Sequence, residues 1–168
     1  MTSKNAAIIV LVFGLPGSGK SYFAEKLSEK IHATYVNSDR LRKEMFAERT
    51  YSHSEKEAVC NAMLKKMNEA FARNSSLVLD ATFHKNDIRK IFVDEMKDKG
   101  GVFFIEIQAD ENITSERLKR PRPYSEADSE VYKLISKQNE PLEEPHLILK
   151  STDDNIDEML RKVSEYLK

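Results

Sequence analysis

One cysteine, Cys60, stands among the 168 residues. That excludes an intramolecular disulfide, and no Cys/His spacing suggests a zinc site. Within its helical pattern Cys60 reads as a small buried apolar residue. Long hydrophobic runs are missing too: none approaches the ~20 residues that span a bilayer. No membrane partner is expected, and the expected location is cytoplasmic. Net charge is only -1, so no global field draws in extended duplex nucleic acid. A site that grips just the end of a strand stays open. With no linker, repeat or low-complexity segment, residues 1–168 read as one domain, able to bury roughly two-thirds of its unfolded surface.

Against these absences stands one dense motif. Gly14, Leu15, Pro16, Gly17, Ser18, Gly19, Lys20 and Ser21 fit the phosphate-binding pattern G-x-x-x-x-G-K-[ST] at every fixed position. The setting also fits. The apolar, β-branched run over 8–13 leads in and reads as a central strand rather than a signal peptide. Behind the motif Phe23, Leu27 and Ile31 recur every four residues along one helix face. Glycines let successive N–H groups point inward, and the helix N-terminus adds partial positive charge. Lys20 is expected to reach the β- and γ-phosphates of ATP, Ser21 to place its hydroxyl on Mg²⁺, and Tyr22 to line the same site.

The rest of the chain alternates. Strands are expected over 8–13, 34–37, 77–80, 102–108 and 146–149. Helices are expected over 19–32, 40–48, 54–73, 86–99, 111–119, 125–139 and 154–167. Ser54-x-x-Glu57 reads as a capping box that starts the third helix. Ile156, Met159, Leu160, Val163 and Leu167 form an apolar stripe on the last. The pattern predicts a three-layer α/β/α sandwich on a five-stranded, mostly parallel sheet, with a short helical lid at about 110–140. In such sheets chemistry sits beyond the carboxyl ends of the strands, where Asp39 and Asp80 both fall.

Phosphoryl transfer needs in-line positioning and neutralised oxygens more than covalent help. Asp39, just after the second strand, suits an acceptor for the proton of an attacking hydroxyl; helix capping, shared with Ser38, is the plainer alternative. Arg42, one turn on, either steadies that carboxylate, binds an anionic group of the substrate, or is a plain surface arginine. Asp80 ends an apolar run where the acidic residue holding a metal's water shell is expected, or is a turn aspartate. Ser21, Asp80 and Asp39 are the metal-side candidates. Thr82, His84, Lys85 and Arg89 make a polar loop, either a substrate site or a solvated one. Arg117, Lys119, Arg120 and Arg122 crowd a proline-broken segment with no acid. It reads as a phosphate-gripping lid or as a basic surface run. Arg120 is the preferred lid arginine, with Arg117 a second nucleotide contact.

On these blocks the chain resembles the small P-loop kinases grouped around 5′-hydroxyl polynucleotide kinases and zeta toxins. The likeness covers nearly the whole length. It rests on the phosphate loop, Ser38-Asp39-x-x-Arg42, Leu79-Asp80-Ala81-Thr82-Phe83 with Arg89, and the Arg117/Arg120 spacing followed by Ser125-Glu126-Ala127-Asp128. The resemblance implies Asp39 as general base, Arg42 holding the acceptor or its phosphate, Asp80 on the acceptor and metal side, and Arg120 in the lid. Two features depart from it: Lys150-Ser151-Thr152 where an acidic residue is common, and prolines in the lid. The expected activity is transfer of the γ-phosphate of Mg²⁺·ATP to a hydroxyl, on a nucleic-acid 5′ end or on a sugar, nucleoside or similar small molecule. The rival readings are a nucleotide-hydrolysing switch and a toxin-type kinase of nucleotide sugars. No N-K-x-D guanine reader is present, and Asp98-x-x-Gly101 lies on the wrong side of the sheet for a switch motif.

Overall fold

The computed structural model describes residues 6–168. Five strands carry the architecture: β1 (Ile9–Phe13), β2 (Thr34–Asn37), β3 (Leu77–Asp80), β4 (Val102–Gln108) and β5 (Leu147–Lys150). Between and after them run α1 (Lys20–Ile31), α2 (Ser38–Met45), α3 (His53–Arg73), α4 (Asn86–Met96), α5 (Glu111–Leu118), α6 (Ser129–Gln138) and α7 (Ile156–Tyr166). The strands lie in the order β2-β3-β1-β4-β5, and every pair is parallel.

β1 shows why this sheet is sandwiched. All five of its residues are buried, because alternate side chains feed opposite cores. Ile9, Leu11 and Phe13 join a core with Met63 and Met67 of α3 and Phe92 of α4. Val10 and Val12 point the other way, to Phe23 and Leu27 of α1 and Met159 and Val163 of α7. The stripe on α7 thus packs as its spacing predicts. Cys60 is partly buried at the edge of the first core.

Strand register sets up the site. Val12 stands opposite Asp80, which stands opposite Asn37 on its other side; Phe13 stands opposite Glu106. The carboxyl ends of β1, β2 and β3 therefore finish side by side. From β1 the chain leaves toward β2, and from β4 toward β5, on opposite sides of the sheet. This divergence opens a crevice above β1.

α1 and α7 begin one and two residues later than expected, and three further helix starts differ for a capping reason. α2 begins at Ser38 rather than 40, because the Asn37 side chain accepts the Arg40 N–H at 3.0 Å. Neither Ser38 nor Asp39 is the cap. α3 is capped by Ser52 instead of Ser54; its hydroxyl accepts from the Glu55 N–H at 3.3 Å. α6 starts at Ser129 behind an Asp128 cap, and residues 119–128, with Pro121 and Pro123, are not helical. No residue of α6 is buried. Among the described residues no helix is long and apolar enough to cross a membrane.

Candidate active site

The loop between β1 and α1 has a backbone that L side chains rarely adopt. Gly17 and Gly19 hold φ of 78° and 90°. A Cβ on Gly19 would stand 2.9 Å from Ser151 Oγ and 3.0 Å from Arg117 Nη1. Glycine is thus needed there for conformation and for close approach. Arg117, at the end of α5, stitches three segments together. Its Nη1 donates to the Ser18 carbonyl at 3.0 Å and to Ser151 Oγ at 2.8 Å, and its Nη2 to the Thr152 carbonyl at 3.1 Å. Ser151 Oγ donates in turn to the Ser18 carbonyl at 2.6 Å. With the loop's carbonyls tied back, the N–H groups of Gly17, Gly19, Lys20 and Ser21 have no acceptor among the described residues. That is the backbone arrangement that receives an anion at a helix N-terminus.

Asp80 lies under this loop, fully buried. Its Oδ2 accepts from Asn37 Nδ2 at 2.6 Å and from the Tyr35 hydroxyl at 2.7 Å. Asn37 Nδ2 also approaches Ser21 Oγ at 3.3 Å. Burial, then the charge of Asp80, pushes the Tyr35 phenol far up, so it stays a donor. Asp80 Oδ1 has no partner. A buried, orphaned carboxylate oxygen beside a hydroxyl suits a cation or a cation-bound water. The described residues hold no cluster of three His, Cys, Asp or Glu, so this is no protein cage. One carboxylate, one serine and a substrate's phosphates fit the way Mg²⁺ is usually held.

Asp39 sits in the first turn of α2, its side chain 32% exposed and its Oδ1 3.2 Å from Arg42 Nη1. Burial raises its pKa above the ordinary carboxylate value, against the opposing charges of Lys20 and Arg42; Asp80 adds to the rise and Arg122 opposes it. Arg42 is 11% exposed and its Nε lies 3.1 Å from Oε1 of Glu55, itself 3% exposed. That contact is an ion pair without hydrogen-bond alignment, since neither atom has a hydrogen-bond partner. The Tyr51 ring covers the Arg42 guanidinium at 4.9 Å.

A cavity of about 610 Å³ joins these parts. Gly17, Gly19, Lys20, Ser21, Tyr22, Asn37 and Asp39 line it, with Arg117, Arg120, Arg122 and the Ser151–Asp153 turn. The size suits a nucleotide-scale ligand. Arg120 is exposed at the cavity, whereas Arg122 is half-buried, donates to the Ala127 carbonyl and faces Asp39. Arg42 and Asp80 lie behind the lining. Gly14, Leu15 and Ser18 line a separate cavity of about 220 Å³ with Glu106, Gln108 and Tyr132. Arg89 is not available to a ligand. It is 2% exposed, donates from Nη2 to Asn86 Oδ1 at 2.5 Å and to the Glu140 carbonyl, and covers Phe13.

The connection over 119–128 reaches across to α2 and the turn beyond it. Tyr124 stacks on Arg40 at 4.5 Å. Glu126 accepts from Arg49 Nη2 at 2.5 Å and from the Tyr51 hydroxyl at 2.7 Å. Sequence reasoning missed Tyr35, Asn37 and Glu55. Asn37 alone carried a signal, as a capping residue type between a strand and a helix.

The backbone resembles several solved proteins, kinases among them. A sugar kinase from a Janibacter species aligns with a TM-score of 0.74 at 12% identity, over 96% of this chain and 94% of its own. The APS kinase CysC of Mycobacterium tuberculosis, solved with AMPPNP and APS, aligns with a TM-score of 0.69 at 20% identity, over 96% and 98%. Kti12 of Chaetomium thermophilum, solved with ADP-AlF3, aligns with a TM-score of 0.70 at 19% identity, over 95% and 99%. At these identities the likeness establishes the fold, the P-loop α/β/α sandwich. No curated protein matches the sequence. Residues 9–142 match the model of a family described as AAA domain, and on that match, which spans most of its length, the chain belongs to the AAA domain family.

Proposed function

We propose that the protein is an ATP-dependent kinase, with Mg²⁺ as its metal, that transfers the γ-phosphoryl group to a hydroxyl acceptor. The observation that carries the reading is Asp39. A second carboxylate facing the phosphate loop, apart from the buried Asp80, is placed to orient an attacking oxygen and take its proton. Asp39 lines the same cavity as Lys20 and feels the charges of Lys20 and Arg122. In the proposed reaction the loop amides and Lys20 hold the β- and γ-phosphates. Ser21 and Asp80 would hold Mg²⁺, which when bound neutralises charge on the phosphate oxygens. Asp39 accepts the acceptor hydroxyl's proton as its oxygen bonds to phosphorus; the bond to the bridging oxygen breaks and ADP leaves. The Arg42 cation against it disfavours a metal at Asp39, while burial, which raises its pKa, favours proton acceptance. Arg120 and Arg122 would close on the transferring oxygens, with residues 110–140 acting as the lid of a single domain over 1–168.

The acceptor class is the finer part of the proposal. A nucleic-acid 5′ end, as in the polynucleotide kinase-like group, would be gripped through its phosphates by Arg42, Lys85 and Arg89. Arg89 is buried against Phe13 and Arg42 already faces two carboxylates. This favours a small hydroxyl compound such as a sugar or nucleoside. The solved neighbours include a sugar kinase, which agrees. Incubation of γ-labelled ATP with a 5′-hydroxyl oligonucleotide and with a panel of sugars and nucleosides tests the reading. Label should appear on a small hydroxyl compound. Label in free phosphate alone would replace the kinase by a hydrolysing switch.

A further inference from the structure

Glu55 takes no part in the chemistry above, yet it is a carboxylate almost wholly removed from water. It lies in the first turn of α3 and accepts the Thr50 backbone N–H at 2.8 Å and the Thr50 hydroxyl at 3.0 Å. These bonds fix Oε2 and leave Oε1 facing Arg42 Nε at 3.1 Å. Burying a charge is costly unless it is paired, so the pair must hold its geometry. On the opposite side of the same guanidinium, Nη1 reaches Asp39 Oδ1 at 3.2 Å. The Tyr51 ring covers one face. Arg42 is therefore bounded by two carboxylates and an aromatic plane, and only one of those carboxylates borders the cavity. A long flexible side chain holds one rotamer under these conditions; without Glu55 it is free to turn toward solvent.

We propose that Glu55 is a positioning residue: it locks Arg42 in the rotamer that places Nη1 on Asp39, so the Asp39 carboxylate is aimed before a substrate arrives. The catalytic half of this inference rests on the kinase reading; the lock itself does not. A Glu55 that merely ties the 46–52 turn to α3 would affect stability and nothing else.

Two measurements on the whole chain decide it. In ¹⁵N-labelled protein saturated with ADP, the Arg42 Nε–H, assigned by its loss in Arg42→Lys, should exchange slowly with water. In Glu55→Gln it should be lost to fast exchange. In the label-transfer assay with the sugar and nucleoside panel, Glu55→Gln should lower kcat at least tenfold while the Kd for ADP stays within twofold. Adding Glu55→Gln to Arg42→Lys should cost less than twofold more, and Glu55→Asp should regain part of the loss. Should Glu55→Gln fail to bind ADP as a folded protein, Thr50→Val, which removes one anchoring donor, should give the intermediate result in both measurements. An unchanged Nε–H signal, unchanged kcat in folded protein, or independent losses in the double variant would overturn the proposal. A wild-type protein that labels no acceptor would overturn the kinase reading and the catalytic half with it, and the exchange measurement would still decide the lock.

Discussion

Position 19 carries a demand that only glycine meets. Its φ of 90° is one that side chains with Cβ adopt at a cost of roughly 1–2 kcal/mol, and Ser151 and Arg117 occupy the space a methyl group would fill. Gly19→Ala should therefore weaken ADP binding about tenfold or more, measured by titration calorimetry, with the two cores intact. On the proposed reading Asp39 makes a different demand, on the chemical step. Asp39→Asn should leave ADP affinity within about twofold and cut transfer by about 10²–10⁴, the range for a positioned proton acceptor; unaltered turnover would remove it from that role. Lys20, Asp39 and Asp80 were legible because their signals are local: a motif, a strand end, a charged residue after an apolar run. Tyr35 and Asn37 were not, because they meet Asp80 across the β2–β3 register, some forty residues away in sequence. Arg89 misled for a related reason. Its letter suggests a phosphate grip, while its place beneath Glu140 and over Phe13 is fixed by packing that no nearby residue announces.

Among the elements, helix existence was plain from periodicity and helix starts were not. Ser52 and Ser54 both suit an N-cap, and the choice fell to Ser52 because Glu55 turns its side chain to Thr50 and Arg42. That preference depends on α2 being packed alongside. The anchoring of α4 to the segment after α6 offers a test at this scale. Arg89 donates to the Glu140 carbonyl, Glu140 Oε2 accepts the Asn86 N–H at 3.2 Å, and the Glu140 N–H reaches the His84 carbonyl at 2.8 Å. Arg89→Ala leaves a cavity and an unmet carbonyl, and should destabilise the protein by about 3 kcal/mol. Chemical denaturation checks this. Because Arg89 is closed off from solvent, loss of activity beyond the unfolded fraction would return it to the substrate site.

For the molecule as a whole, the alternation of apolar runs with amphipathic helices was enough to give a doubly covered sheet. It could not give the order β2-β3-β1-β4-β5, because strand order depends on which hydrophobic faces meet. The β-branched residues of β1 did mark it as central, since only a strand covered on both faces tolerates five consecutive apolar side chains. Stability should also vary with pH in a directed way. Burial holds His84 below its ordinary pKa of about 6.5, with Lys85, Lys56 and Arg89 acting in the same sense and a bond with Gln138 against it. The unfolded chain then takes up a proton near pH 6.5 that the folded one refuses. This contribution is complete above that pH and is lost as pH falls toward the folded value. His84→Asn should flatten the decline in Tm between pH 7 and 5; an identical decline in both proteins would place its origin elsewhere.

None of the ten residues of α6 is fully buried, and neither core includes any of them. Such a stretch can melt and re-form while the sandwich stands unaltered. Its coming and going would leave the masonry of the two cores undisturbed.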